Sequence, residues 1–212
     1  MELVPAPIEA YAAAHTSADD PLLQEILQRT EATHPEAHML SGHVQGQFLK
    51  QLSRMVSPNR ILEIGTFVGY SALCLAEGLE AGGELHTIEC REEDARTAQA
   101  YFDRSPRGHQ VRLHLGEALA VMEALKENWD LVFIDADKVN YIAYYEALVP
   151  QLRSGSWILA DNLFFHGQVL EDPVKGKNAR AMAAFADHVA ADTRTEQLIL
   201  TLRDGLMLIR KI

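Results

Sequence analysis

The sequence predicts an α/β protein: an open, mostly parallel sheet with helices on both faces, closed at one edge by an antiparallel pair. Three observations carry this. From Arg60 onward, short apolar runs alternate with amphipathic segments, the pattern of strands joined by crossover helices. At the far end, two strand-like runs are separated only by Arg203-Asp204-Gly205, and Asp-Gly between short strands signals a hairpin. Apolar residues make up 48% of the 212, enough to give a single domain a full core.

Residues 17–30 (SADDPLLQEILQRT) begin with polar residues and an early proline, then place Leu22, Leu23, Ile26 and Leu27 at helical spacing. An irregular link, residues 33–43, leads into a second helix over 44–56. Strands are expected at 60–64 (RILEI), 84–89 (ELHTIE), 110–115 (QVRLHL), 130–135 (DLVFID) and 156–161 (SWILAD). The helices between them fall at 69–81, 91–103, 117–128 and 139–152. A further helix at 178–190 precedes the terminal strands, 196–202 and 205–212. The chain therefore divides into a helical extension with its link, residues 1–43, and a core, residues 44–212, within one domain. Tyr141, Tyr144 and Tyr145 share a helical face and read as packing residues, while His34, His38 and His43 read as solvated loop histidines.

Nineteen basic and thirty acidic side chains leave a net charge of −11, which repels phosphate backbones and anionic lipid. Nucleic acid and membrane partners are therefore disfavoured. The start of the chain has no basic, apolar leader pattern, and no later run reaches the roughly 18 apolar residues of a membrane span. A cytoplasmic protein is expected. Cys74 and Cys90, the only two cysteines, read as reduced core residues.

In open parallel sheets, ligands bind beyond the carboxyl ends of the strands, at the point where strand order reverses. Here four of the five parallel strands end in carboxylates: Glu63, Glu89, Asp135 and Asp161, the last followed by Asn162. In the turn after the first strand, Gly65 and Gly69 let the backbone approach a ligand closely. Their spacing is not the G-x-G-x-x-G of dinucleotide binders. A carboxylate at Glu63 repels a pyrophosphate but attracts a sulfonium carrying an amino group. Glu89, about two dozen positions on, is placed to accept hydrogen bonds from ribose hydroxyls. Together these favour S-adenosylmethionine over NAD.

The motifs GQFL (46–49), LEIGTFVGYSAL (62–73), GEAL (116–119), FIDADKVNY (133–141), ADNLFFHG (160–167) and DGLMLIRK (204–211) occur in order from about Met39 to Ile212. In this the chain resembles the cation-dependent O-methyltransferases of the caffeoyl-CoA and catechol type. The resemblance implies a Rossmann-like class I methyltransferase fold of seven strands in the order 3-2-1-4-5-7-6, with added N-terminal helices, and a homodimer. It implies cofactor contacts at Glu63, Gly65, Ser71, Glu89, Asp135 and Asp137, with Ala118 facing the adenine and Val44 or its neighbours closing over the methionine end. At Phe165 the plant enzymes usually carry a tryptophan that packs on the substrate ring, and at His166 an asparagine.

Asp135, Asp161 and Asn162, at the tips of neighbouring strands, offer only oxygen donors, which suit Mg²⁺, Mn²⁺ or Ca²⁺ rather than zinc. A phenol, with a pKa of about 10, is a poor nucleophile near neutral pH. A dication on its oxygen favours the phenolate, and Lys138, which matches the family's catalytic lysine, is the expected base. The cation would lower the lysine pKa while Asp137 opposes it, and the sequence leaves that balance open. The expected acceptor is a small aromatic hydroxyl compound of catechol type. Three alternatives remain: a hydroxylated tRNA base as acceptor, an NAD-dependent oxidoreductase, or a cofactor-binding module without turnover.

Overall fold

The computed structural model describes residues 4–212, so Met1, Glu2 and Leu3 of the expected extension lie outside the described residues. Three helices come first: α1 (Ala6–His15), α2 (Pro21–Thr33) and α3 (His43–Val56). β1 (Arg60–Ile64), α4 (Tyr70–Ala76), β2 (Glu84–Glu89), α5 (Glu92–Phe102), β3 (Val111–Leu115) and α6 (Ala118–Ala124) follow in strict alternation. β4 (Leu131–Ile134), α7 (Tyr141–Leu148), β5 (Trp157–Asp161), α8 (Lys177–Ala191), β6 (Thr195–Leu200) and β7 (Leu206–Lys211) complete the chain.

The seven strands form one sheet in the order β3-β2-β1-β4-β5-β7-β6, as expected. β1 lies parallel to both β2 and β4, with Ile64 opposite Ile88 on one side and Ile134 on the other. β7 runs antiparallel between β5 and β6. Chain order reverses between β1 and β4, so a crevice opens beyond their carboxyl ends.

Helices cover both faces. On one, Leu23 and Ile26 of α2 and Leu49 of α3 pack with Leu73 and Leu75 of α4 and with Ile61, Leu131 and Phe133 of the sheet. On the other, Tyr141, Tyr145, Phe185 and Val189 cover Leu62, Ile64, Val132, Ile134 and Ile158. Each of these fully enclosed side chains contributes about 1.5–3 kcal/mol of apolar burial. The expected 1–43 extension thus shares its core with β1 and β4.

Several element ends differ from expectation. α1 was not anticipated: its alanine-rich run has no apolar stripe, and it buries no residue. α2 begins where proposed, with the Asp20 carboxylate accepting from the Leu22 and Leu23 N–H groups, both at 3.0 Å, and Pro21 in its first turn. The helix expected at 69–81 ends at Ala76, two residues before Gly78, where any side chain would collide with the Ser53 backbone. The 139–152 helix is split into a 3-10 turn at Lys138–Asn140, α7, and a second 3-10 turn at Val149–Gln151 that contains Pro150.

Candidate active site

A cleft of about 540 Å³ opens at the switch point. Its floor is the loop after β1. Gly65 has φ +99°, and a Cβ there would strike the carbonyl of Asp135 at the tip of β4. Glycine therefore lets the β1 and β4 tips close up, with the Asp135 N–H donating to the Ile64 carbonyl at 2.9 Å. Gly69, φ +87°, does not line the cleft; it seats the start of α4 against Phe102.

Glu89 projects from the tip of β2 and is pinned by backbone donors. The Phe67 N–H reaches Oε2 at 2.7 Å, and those of Cys90 and Arg91 reach Oε1, each at 2.9 Å. These bonds hold the carboxylate in one orientation at the cleft wall. Glu63 lies behind that wall, fully buried. Thr87 Oγ1 donates to its Oε2 at 2.5 Å, while Oε1 has no partner. Burial pushes its carboxyl up to about 8, against the opposing pull of the Thr87 and Ser71 hydroxyls. An orphaned carboxyl oxygen beneath the glycine loop fits a ligand that brings a donor, such as an amino group. Ser71, Ala118 and Asp137 line the same cleft. Val44 does not: it sits half-buried in the first turn of α3, and the link contributes Met39, Leu40 and Ser41 instead. Arg203 clamps that link, its guanidinium donating to the carbonyls of Leu40, at 2.6 Å, and Ser41.

Asp135, Asp161 and Asn162 line the same cleft, with the Asp135 charge acting on Asp161. Asp161 is 3% exposed, with Oδ1 accepting from the Asn162 N–H at 2.7 Å and Oδ2 from Gln45 Nε2 at 2.6 Å. Burial first, and then the Asp135 charge, raise the Asp161 pKa to about 7. Asn162 adopts the left-handed conformation, φ 61°, which asparagine tolerates better than most residues, and its amide makes no hydrogen bond among the described residues. Among the described residues, no three His, Cys, Asp or Glu side chains cluster to hold a metal. The set here is two mutually repelling carboxylates and an unpartnered amide, all hard oxygen donors, and a divalent cation fits that chemistry.

Lys138 Nζ donates to Asp135 Oδ1 at 3.0 Å and to the Tyr141 hydroxyl at 2.9 Å. Burial alone would lower its pKa, but Tyr141 and Asp135 outweigh it and hold the ammonium well above the usual lysine range. Asp135, rather than Asp137, is thus the anion beside the lysine. Asp137 is instead bonded to the Tyr144 hydroxyl and to Asn140 Nδ2, the latter at 2.6 Å. The Tyr141 hydroxyl reaches the Ile134 and Asp161 carbonyls at 3.1 and 3.2 Å, tying the tips of β4 and β5 together.

Residues 14–212 match the O-methyltransferase family. This chain belongs to that family. It is 30% identical to a caffeoyl-CoA O-methyltransferase of Petroselinum crispum over 206 residues, covering 91% of this chain and 85% of the relative. It is 32% identical to a catechol O-methyltransferase of Niastella koreensis, covering 86% and 83%. The fold superposes with a TM-score of 0.89 on an O-methyltransferase from Bacillus cereus in complex with SAH, at 30% identity and 97% coverage of both chains. A SAH-bound methyltransferase from Podospora anserina gives 0.90 at 28% identity, covering 97% of this chain and 94% of that one. The protein is an S-adenosylmethionine-dependent O-methyltransferase with the Rossmann-like class I fold. The oxidoreductase alternative is therefore set aside.

For this O-methyltransferase, the structure also revises several readings of side chains. Cys74 is buried, but Cys90 is exposed and lines the cleft, because it follows the β2 tip instead of ending inside the sheet. His34 and His43 are not merely solvated. They bond to Asp94 at 3.0 Å and Asp19 at 2.9 Å, and His38 lies 3.5 Å from Glu36, so the three face different carboxylates. Tyr141, Tyr144 and Tyr145 pack as expected, and each hydroxyl also anchors a loop or strand end. Phe165 and His166 line the cleft, with the His166 N–H donating to Asp204 Oδ1 at 2.7 Å. Gln45 and Arg203 had no marker in the sequence beyond a position inside or beside a motif; only the folded chain brings them to the site. No helix among the described residues is long and apolar enough to cross a membrane.

Proposed function

We propose that this enzyme methylates a hydroxyl of a small catechol-like or phenolic acceptor in a reaction that depends on a divalent cation, Mg²⁺ or its hard relatives. The observation that supports this most is the junction of Asp135, Asp161 and Asn162 with Lys138 in one cleft that also presents Glu89 and Ser71. Glu89 accepts the ribose hydroxyls of S-adenosylmethionine, the unpartnered oxygen of Glu63 receives its amino group, and Ala118 borders the adenine. Met39, Leu40 and Ser41 of the link, rather than Val44, close over the methionine end. Asp135, Asp161 and Asn162 would hold the cation, which when bound would make an acceptor hydroxyl more acidic.

Lys138 removes the hydroxyl proton at Nζ. Its ammonium rests against Asp135, and Asp135, in holding a cation, would loosen its own grip on that ammonium and so ease loss of the Nζ proton. Phe165 stacks on the acceptor ring. Methyl transfer needs oxygen, methyl carbon and sulfur in line, so much of the rate gain comes from holding acceptor and cofactor in one rigid cleft. We place the enzyme in the cytoplasm as a homodimer.

Catechols, hydroxycinnamoyl thioesters and tRNA screened with labelled S-adenosylmethionine, with and without EDTA, test this reading. Methylation of a catechol-type compound that EDTA abolishes and Mg²⁺ restores is the expected result. EDTA-insensitive turnover would remove the metal from the mechanism, and methylation of tRNA alone would replace the acceptor class.

A further inference from the structure

Gln45 sits in the first turn of α3 with no exposed surface, 116 residues from the carboxylate it contacts. Its Nε2 donates to Asp161 Oδ2 at 2.6 Å, while its own Oε1 is buried without a partner. The reverse amide orientation would press one acceptor against another, so Asp161 sets which way the side chain faces. A buried, half-satisfied amide is unfavourable for stability. A methionine or leucine would fill the space without stranding a carbonyl, so packing does not account for a glutamine here.

We propose that Gln45 is a positioning residue for the cation site, resting on the metal-dependent reading above: its N–H fixes Asp161 in the orientation that shares a cation with Asp135 and Asn162. Asp161 then has one donor on each oxygen, Gln45 on Oδ2 and its neighbour's N–H on Oδ1, so the carboxylate plane is locked. The lock comes from a helix that is not part of the sheet. Partners that orient a metal ligand in this way typically change affinity by about 10–100-fold when removed. The link just before α3 places Met39, Leu40 and Ser41 along the same cleft.

The test uses the full chain, with Mn²⁺ alone as probe, titrated by calorimetry and by water-proton relaxation. Gln45→Met keeps the length and removes the donor; Gln45→Asn keeps the amide but falls short of Asp161. Both should weaken Mn²⁺ binding by on the order of tenfold or more. Cation-free binding of S-adenosylmethionine should stay within about twofold, a split that a merely structural role would not produce. Wild-type Mn²⁺ affinity in either folded variant overturns the role of Gln45 and leaves the metal-dependent reading intact. No Mn²⁺ binding to the wild type overturns both. If neither variant melts cooperatively, Gln45 serves folding and the proposal fails.

Discussion

At the tip of β1, Glu63 is enclosed with one oxygen unpartnered, and its carboxyl titrates near 8 rather than 4.5. An unfolded chain sheds that proton near the ordinary value while the folded protein keeps it. Stability contributed at this residue therefore declines as pH rises from about 4.5 to about 8, and is level above that. Glu63→Gln should remove the decline and raise the melting temperature of the cofactor-free protein at pH 8, by roughly 2–4 °C for each kcal/mol recovered. The same change should weaken binding of S-adenosylmethionine; melting curves across pH and calorimetry check both. Lys138→Met, close in length but unable to take a proton, should cut kcat by about 10²–10⁴ with little change in cofactor affinity. Full activity on the true acceptor would exclude Lys138 as the base. Residue types at strand tips were legible in the sequence because carboxylates at the ends of apolar runs need a reason to be there. The partners were not: Asp137 is nearer Lys138 in the chain, yet Asp135 holds it, since the turn after β4 directs Asp137 toward Tyr144.

The elements that shape the cleft are a glycine turn and a clamped link. At Gly65 an alanine would face both a left-handed backbone, which costs about 1–3 kcal/mol for a non-glycine residue, and a collision with the Asp135 carbonyl. Gly65→Ala should therefore lose stability by at least that amount and lose cofactor binding, as denaturant titration and calorimetry would show. Arg203, on the β6–β7 hairpin, holds the link by two carbonyls that no local pattern ties to it. Hydrogen bonds to charged groups are worth about 1.5–3 kcal/mol. Arg203→Ala should speed S-adenosylmethionine release by on the order of tenfold in stopped-flow measurements, and an unchanged rate would show that the link does not gate the cofactor. Strands and crossover helices were readable from periodicity and turn residues. Element ends were less so, because the backbone that packs beside them, such as Ser53 against Gly78, comes from residues distant in sequence.

Across the whole molecule, a net charge of −11 opposes polyanions. Titration of labelled tRNA at moderate salt should show no binding tighter than about 10⁻⁴ M, the weak end of non-specific association. Tight, salt-sensitive binding would revive the tRNA alternative. While the strand order was implied by the family resemblance and is the order observed, the two helical layers and the antiparallel finish followed from the alternation of elements and the Asp-Gly turn. The place of α2 and α3 did not: their apolar stripes called for a partner, and only packing shows it to be the face of the sheet that carries Ile61 and Phe133.

By itself the sequence determined the fold class, the family, and which strand tips carry acidic or amide groups, since these depend on local periodicity and on motifs read along the chain. The tertiary structure decided which groups meet. Gln45 on Asp161 and Arg203 on the link both depend on distances between residues far apart in the chain. Such distances are set by how whole layers pack, and no local pattern encodes them.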